Sequence, residues 1–269
     1  MTSDEIRRLC EHTEAESWAV FFENSPAEFA MQVGMCVRRF SQGIVGLACR
    51  GIDWILFNRV MGLGVDAPAT EAKIDEIIAD YRDSGIARFA FQIFPDAQVE
   101  DWLIARGFTR GGEWAKCYRP AVPPDPVATD LRITKIGVDA RSAFAHTLCV
   151  GSDLPEFIVP LAGGMVGYAG WHSYMAFDGD QPAGTGAVYV QGKVGWLGGG
   201  ATLPTYRRRG GQGALMTRRI QEGIALGCDW LVTETRAERP DHPNPSYHNM
   251  LRTGFQLAYL RTDYLSPAP

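Results

Sequence analysis

The chain has 269 residues, 46% of them hydrophobic and 21% charged, which suits a soluble globular protein of one or two domains with a substantial core. A net charge of -5 argues against nucleic acid as the main partner, since such partners require a broad basic face. The six cysteines, Cys10, Cys36, Cys49, Cys117, Cys149 and Cys228, form no Cys-x-x-Cys pair and lie near no histidine cluster, so no metal site and no disulfide framework is indicated and reduced thiols in cytoplasm are expected.

The first five residues lack a basic region followed by an apolar one, so no secretory signal is expected. Residues 58–65 read as a strand. Ile74, Ile77, Ile78 and Tyr81 recur at i, i+3, i+4 and i+7 and predict a helix closed by Gly85. A strand at 87–94 and a helix ending in Ala105-Arg106-Gly107-Phe108 follow. The run Arg119-Pro120-Ala121-Val122-Pro123-Pro124-Asp125-Pro126 favours an extended connection and divides the chain into domains 1–120 and 131–269 with a linker at 121–130.

Beyond the linker, a strand is expected at 131–136, helices at 140–148 and 154–161, and a meander of strands at 171–177, 183–190 and 194–202 that turns at Asp178-Gly179 and Gln191-Gly192. The stretch 154–177 is the most apolar, but Pro155, Pro160 and several glycines interrupt it, so no membrane span is expected. Met216, Ile220 and Ile224 share one face of a helix at 214–226 with Gly227 as its left-handed cap. A strand at 229–235, a helix at 246–252 and a last strand or hairpin at 255–265 complete an α/β chain with a mixed sheet.

Between the strand at 194–202 and the helix at 214–226 stands Pro204-Thr205-Tyr206-Arg207-Arg208-Arg209-Gly210-Gly211-Gln212-Gly213-Ala214-Leu215-Met216. The first N–H groups of a helix have no partner within it, and the peptide dipoles place about half a positive charge there. Glycines at 210 and 211 let the backbone approach a phosphate, and arginines neutralise its charge. A triphosphate P-loop is excluded because no Gly-Lys-Ser or Gly-Lys-Thr follows, and a Rossmann fingerprint fails at Met216.

The stretch resembles motif A of the GNAT (GCN5-related N-acetyltransferase) superfamily, Gln/Arg-x-x-Gly-x-Gly/Ala. Arg208, Gly211 and Gly213 match it literally, but counting from Pro204 and from Ala214-Leu215-Met216 favours Arg207, Gly210 and Gln212. The order of elements over residues 130–265 is similar to that superfamily's, and Gly254-Phe255 resembles the pair that closes its motif B. The N-terminal half resembles a degenerate copy, with Asp66-Ala67-Pro68-Ala69-Thr70-Glu71 where the phosphate turn belongs. The resemblance therefore implies two GNAT-like domains in tandem with the acyl-CoA N-acyltransferase fold.

It further implies acetyl-CoA as co-substrate, no metal, and direct transfer of an acetyl group to a primary amine, with a small-molecule acceptor expected and neither nucleic acid nor membrane as partner, in a monomer or homodimer. Coenzyme A contacts are implied for Thr202, Leu203, Arg207, Arg208, Arg209, Gly210, Gly211, Gln212, Gly213 and Ala214, and for Ser246 and Asn249 on the following helix. A backbone N–H near Leu203 would polarise the thioester. Holding an alkylammonium of pKa about 10.4 neutral at pH 7 costs about 4.6 kcal/mol, so a base is useful. Glu234 is the candidate base. The tyrosine expected four residues before Gly254 is replaced by Met250, so Tyr247, nearly one turn earlier, is the candidate acid. His172 and Tyr174 are candidates to line the acceptor cleft, and His242 lies in a proline-held loop expected to border the site. An acyl-CoA sensor without catalysis is the alternative reading.

Overall fold

The computed structural model describes residues 2–267. Its N-terminal half runs through helices α1 (Ser3–Glu23) and α2 (Ala27–Val33), strands β1 (Met35–Arg39), β2 (Val45–Cys49) and β3 (Arg59–Met61), helix α3 (Glu71–Asp83), strand β4 (Ala90–Ile93), helix α4 (Ala97–Ala105) and strand β5 (Thr109–Pro120). The C-terminal half comprises β6 (Arg132–Lys135), α5 (Arg141–Gly151), α6 (Val159–Ala162), β7 (Trp171–Asp178), β8 (Gln181–Gln191), β9 (Val194–Thr202), α7 (Gly211–Ala225), β10 (Trp230–Arg236), α8 (Pro245–Arg252) and β11 (Gln256–Leu265). Residues 122–129 between them carry no regular structure.

Period-3.6 patterning accounts for α3, where Ile74, Ile77 and Tyr81 are fully buried and Gly85 (φ +71) ends the helix as expected. Gly107 and Gly227, also at positive φ, close α4 and α7 in the same way. The meander β7–β8–β9 turns at Gly179 and Gly192, both left-handed. The expected helix at 154–161 is a 3-10 turn followed by the single turn of α6, because Pro160 removes a donor and glycines follow directly. The segment after Phe255 is one strand and no hairpin, since β11 pairs along its length with β5.

The eleven strands of the described residues form one sheet, in the order β1-β2-β3-β4-β11-β5-β10-β9-β8-β7-β6. The two halves exchange their last strands: β11 inserts between β4 and β5, and β5 inserts between β11 and β10. Every residue of β10 has a partner on β5, from Trp230 opposite Pro120 to Arg236 opposite Trp114.

Helix α1 lies outside the elements that apolar periodicity marks. It carries a capping box, Thr2 with Glu5, that marks a helix start, but buried Glu11 and Glu14 break its apolar stripe. It packs beneath the junction of the halves, where Phe21 and Phe22 join Phe57 of the first half and Leu161, Trp171 and Trp196 of the second in one core. Among the described residues no helix is long and apolar enough to cross a membrane, and no group of histidine, cysteine and carboxylate residues has the arrangement of a metal site.

Candidate active site

Strand β9 runs into a short 3-10 turn at Pro204–Tyr206, and the chain enters α7 through Gly210 at φ +76. Gly210 is required by this conformation and by packing, because a Cβ there would lie 2.2 Å from the Ala128 carbonyl oxygen. A side chain at Gly211 would meet Leu131 and one at Gly213 would meet Val127. The glycines thus admit the chain of residues 127–131, a different reason from the phosphate approach expected above. Arg208 also holds a left-handed backbone, φ +64. The first helical bond is from the Ala214 N–H to the Gly210 carbonyl, 3.0 Å, which leaves the N–H groups of Gly211, Gln212 and Gly213 without partners within the helix.

These groups open onto a cavity of about 580 Å³ lined also by Thr202, Arg207, Arg208, Ser246, Asn249 and Arg252. Among the described residues neither Arg207 nor Arg208 has a carboxylate partner, so two exposed cations stand beside the positive end of α7. Three of the expected contacts lie elsewhere. Arg209 turns away and is held by Asp130 (2.5 Å) and Asp178 (2.8 Å), the latter having been expected to serve only the turn. Ala214 is buried with its N–H engaged. Leu203 donates its N–H to Ala183, 2.9 Å, and is not free to polarise a carbonyl.

The opening between strands lies earlier. β9 and β10 pair in parallel only from Val194 to Trp196 and then part. β9 also bulges against β8, with Gly198 to Ala201 opposite Ala187 to Thr185, and Gly199 takes φ +61. Side chains capture carbonyls along this stretch: Thr233 Oγ1 donates to Leu197 (2.8 Å), Arg219 Nη1 to Gly198 (3.0 Å) and Thr185 Oγ1 to Gly199 (2.9 Å). Arg219 is buried, and desolvation lowers its pKa to about 10, leaving it charged at neutral pH.

The parted strands enclose a second cavity of about 320 Å³. The two cavities share three lining residues, Gly200, Gln212 and Ser246. Gln212 bridges to α8, donating to Ser246 Oγ (3.3 Å) and accepting from Asn249 Nδ2 (2.6 Å). Ser246 is not the cap of α8; Asn244 is, through its side-chain oxygen.

Glu234 lies in the wall of the second cavity. Its Oε2 accepts from Trp196 Nε1 (2.8 Å) and from Lys116 Nζ (3.1 Å), and its Oε1 has no partner among the described residues. Burial, then the nearby Glu14 carboxylate, raises its pKa above the usual carboxylate range despite Lys116. Lys116 joins Glu234 to a buried network of α1 and β11. Lys116 also binds Glu14, and Arg261 holds Glu14 through Nη1 and Nη2 (both 2.7 Å) and Glu11 (2.9 Å). Burial opposes the ionisation of Glu14, but Arg261, then Lys116 and Arg59, hold it well below the usual carboxylate range.

Replacing Lys116 by Met would leave Glu14 and Glu234 without their shared cation. A buried charge deprived of its partner costs about 3–5 kcal/mol, so Lys116→Met is expected to lower the free energy of unfolding in urea by about that amount. A variant as stable as the parent would show that the network does not hold the halves together.

Tyr247 lines neither cavity. It follows Ser246 by one position, about 100° around the helix, and packs with the core of Ala115, Cys117, Ile220 and Met250 beneath the sheet. The expected acid is therefore displaced from the site. His172 and Tyr174 also face away, toward Glu222 on α7, at 3.1 and 2.6 Å. His242 is exposed in a cavity of about 390 Å³ with Arg239 and Pro243 that meets the Glu234 cavity at Thr235. In the N-terminal half, α3 begins at Thr70, whose side chain caps Lys73 N–H, and Asp66 binds His12, so that helix start offers no counterpart of the arginine turn.

No protein-family model and no curated protein matches this sequence. Solved structures match its fold. The GCN5-related N-acetyltransferase from Kribbella flavida superposes at TM-score 0.62 and 14% identity over 93% of this chain and 96% of that one. A GCN5-related N-acetyltransferase from Sphaerobacter thermophilus gives 0.56 and 13%, over 84% and 82%. A tandem GNAT protein from the clavulanic acid biosynthesis pathway gives 0.57 and 13%, over 78% and 74%. With its mixed sheet and the turn at the head of α7, the chain has the fold of these GCN5-related N-acetyltransferase and tandem GNAT structures.

Proposed function

We propose that this protein is an N-acetyltransferase that moves an acetyl group from acetyl-CoA to a primary amine of a small-molecule acceptor. One observation carries the reading: a cavity at the start of α7 lined by Arg207 and Arg208 joins, at Gly200, Gln212 and Ser246, a cavity whose wall holds a carboxylate with a free oxygen. Coenzyme A suits the first cavity because its phosphates are the partners that unpaired Arg207 and Arg208 and three free N–H groups lack. When bound it supplies a thioester as the acyl donor.

The residues of the chain then divide the work. Glu234 Oε1 takes a proton from the ammonium of the acceptor, and its raised pKa brings it nearer the working pH than an ordinary carboxylate. Trp196 and Lys116 fix the other oxygen, so the free one keeps a single orientation. Ser246, at the junction of the cavities, would donate a hydrogen bond to the leaving sulfur, which takes up a proton released by the acceptor nitrogen, where Tyr247 does not reach. Ser246→Ala is expected to lower kcat by about 10²-fold with acetyl-CoA affinity little changed; an unchanged kcat would remove Ser246 from the mechanism.

Binding is tested by thermal unfolding with acetyl-CoA. At a hundred times its dissociation constant a ligand stabilises the native state by about 2.7 kcal/mol, several degrees for a chain of this size. The parent is expected to shift and the Arg207→Glu, Arg208→Glu double variant is not. These exposed positions avoid the clash that any side chain at Gly210 would create. No shift in the parent would end the transferase reading.

A further inference from the structure

We infer that the acceptor is a small arylalkylamine, a primary amine on a short chain carrying one flat aromatic ring, and that the N-terminal half selects it. The inference rests on the transferase reading above and names the substrate of the same site. The cavity that holds Glu234 has five aromatic residues in its wall, Trp18, Phe21, Phe57, Trp114 and Trp196, and the first four belong to the N-terminal half. Trp18 meets Phe21 and Trp196 edge-on, with ring centroids 5.5 and 6.4 Å apart, so faces and edges are both presented to the space between them. Such walls favour a ring over a flexible aliphatic chain.

Several polar groups of the wall are engaged, whereas Trp18 Nε1 is a buried donor without a partner among the described residues. Thr233 is bonded to the Leu197 carbonyl, and Arg219 to the Leu215 and Gly198 carbonyls. Thr235 accepts from Asn244, and Gln212 is tied to Ser246 and Asn249. Among the described residues lining the wall Glu234 is the one carboxylate, and its Oε1 is free, as is Arg219 Nη2. One ammonium is therefore served by a carboxylate. A second ammonium, as in a polyamine, would lose its hydration without a carboxylate to replace it. The cavity volume of about 320 Å³ lies at the small end of ligand pockets, which span roughly 300–1,000 Å³. That size suits a one-ring amine.

The test is the acetylation of a panel of amines by the full-length protein. Phenethylamine is expected to exceed putrescine and L-phenylalanine at least a hundredfold in kcat/KM, and n-butylamine at least tenfold. In Trp18→Ala the ratio of phenethylamine to n-butylamine should fall at least tenfold while acetyl-CoA affinity is retained. Since Trp18 also covers Arg59, at 4.2 Å from its ring, Leu56→Trp serves as the second variant: it fills the cavity from the partly buried rim and should lower the same ratio. If acetyl-CoA binds and putrescine or an amino acid is preferred, or if both variants leave the ratio unchanged, the arylalkylamine inference is overturned and the transferase reading stands. If acetyl-CoA does not bind, or no amine is acetylated, both fall together.

Discussion

Residues 127–269 expressed alone will not give a cooperatively folded monomer, although they contain the whole arginine turn and its flanking strand and helix. Strand β10, which carries Glu234, pairs in parallel with β9 over only three rungs, whereas β5 of the first half covers its other edge along all seven residues. Removing residues 1–126 strips that edge and both edges of β11, which lies between β4 and β5. It also takes away Phe21, Phe22 and Phe57 from the shared core and Lys116 from Glu234. Exposed strand edges with apolar faces associate rather than persist alone. The expected result is an insoluble or non-cooperative fragment, and a soluble, stable complex when residues 1–126 are co-expressed. The intact chain should unfold in one transition, because a continuous sheet couples the halves. A fragment with a sharp thermal transition and native near-ultraviolet dichroism would overturn the argument.

Glu234→Gln is the second large effect. Removing a general base typically costs 10²–10⁴-fold, so kcat is expected to fall by about that factor while the thermal shift with acetyl-CoA survives. A catalytically competent Gln variant would assign the proton transfer elsewhere. The pH profile follows from the raised pKa of Glu234, caused by burial and then by Glu14. kcat/KM should fall as pH drops through that raised value, so the acidic limb lies above the usual carboxylate range. Stability moves oppositely. A carboxyl whose folded pKa is raised binds its proton more tightly in the folded state, so ionising it as pH climbs from the unfolded to the folded value costs stability. Glu14, held low, contributes stability that is present above its unfolded pKa and lost as pH falls toward its folded value. Relative to the parent, Glu234→Gln should therefore gain stability above the raised value, and chemical denaturation at two pH values bracketing it measures the difference.

What could be read from the residues in order was local. The glycine caps at 85, 107 and 227, the meander of β7 to β9 and the strand, turn and helix around Arg207 depend on neighbours in sequence, and periodicity and turn chemistry expose them. Gly210 was legible as a turn residue, but the reason for it, the Ala128 carbonyl pressed against its backbone, comes from 82 positions away. The same limit hid the roles of α1 and β5. Glu11, Glu14 and Lys116 look like solvated charges in a linear chain; only the strand exchange brings them together with Arg261, where each charge replaces the water the others have lost. Strand order is a choice among edges that all present the same backbone groups, so no local pattern specifies that β11 completes the first half and β5 the second. The phase of α8 was likewise undecided by composition: Ser246 and Tyr247 are adjacent, and the sheet beneath α8 decides which faces the cavity. The sequence by itself determined the arginine turn, because the turn is built from consecutive residues. The tertiary structure alone decided the cavity that holds Glu234, because Trp18, Phe57, Trp114 and Glu234 meet only when the two halves share one sheet.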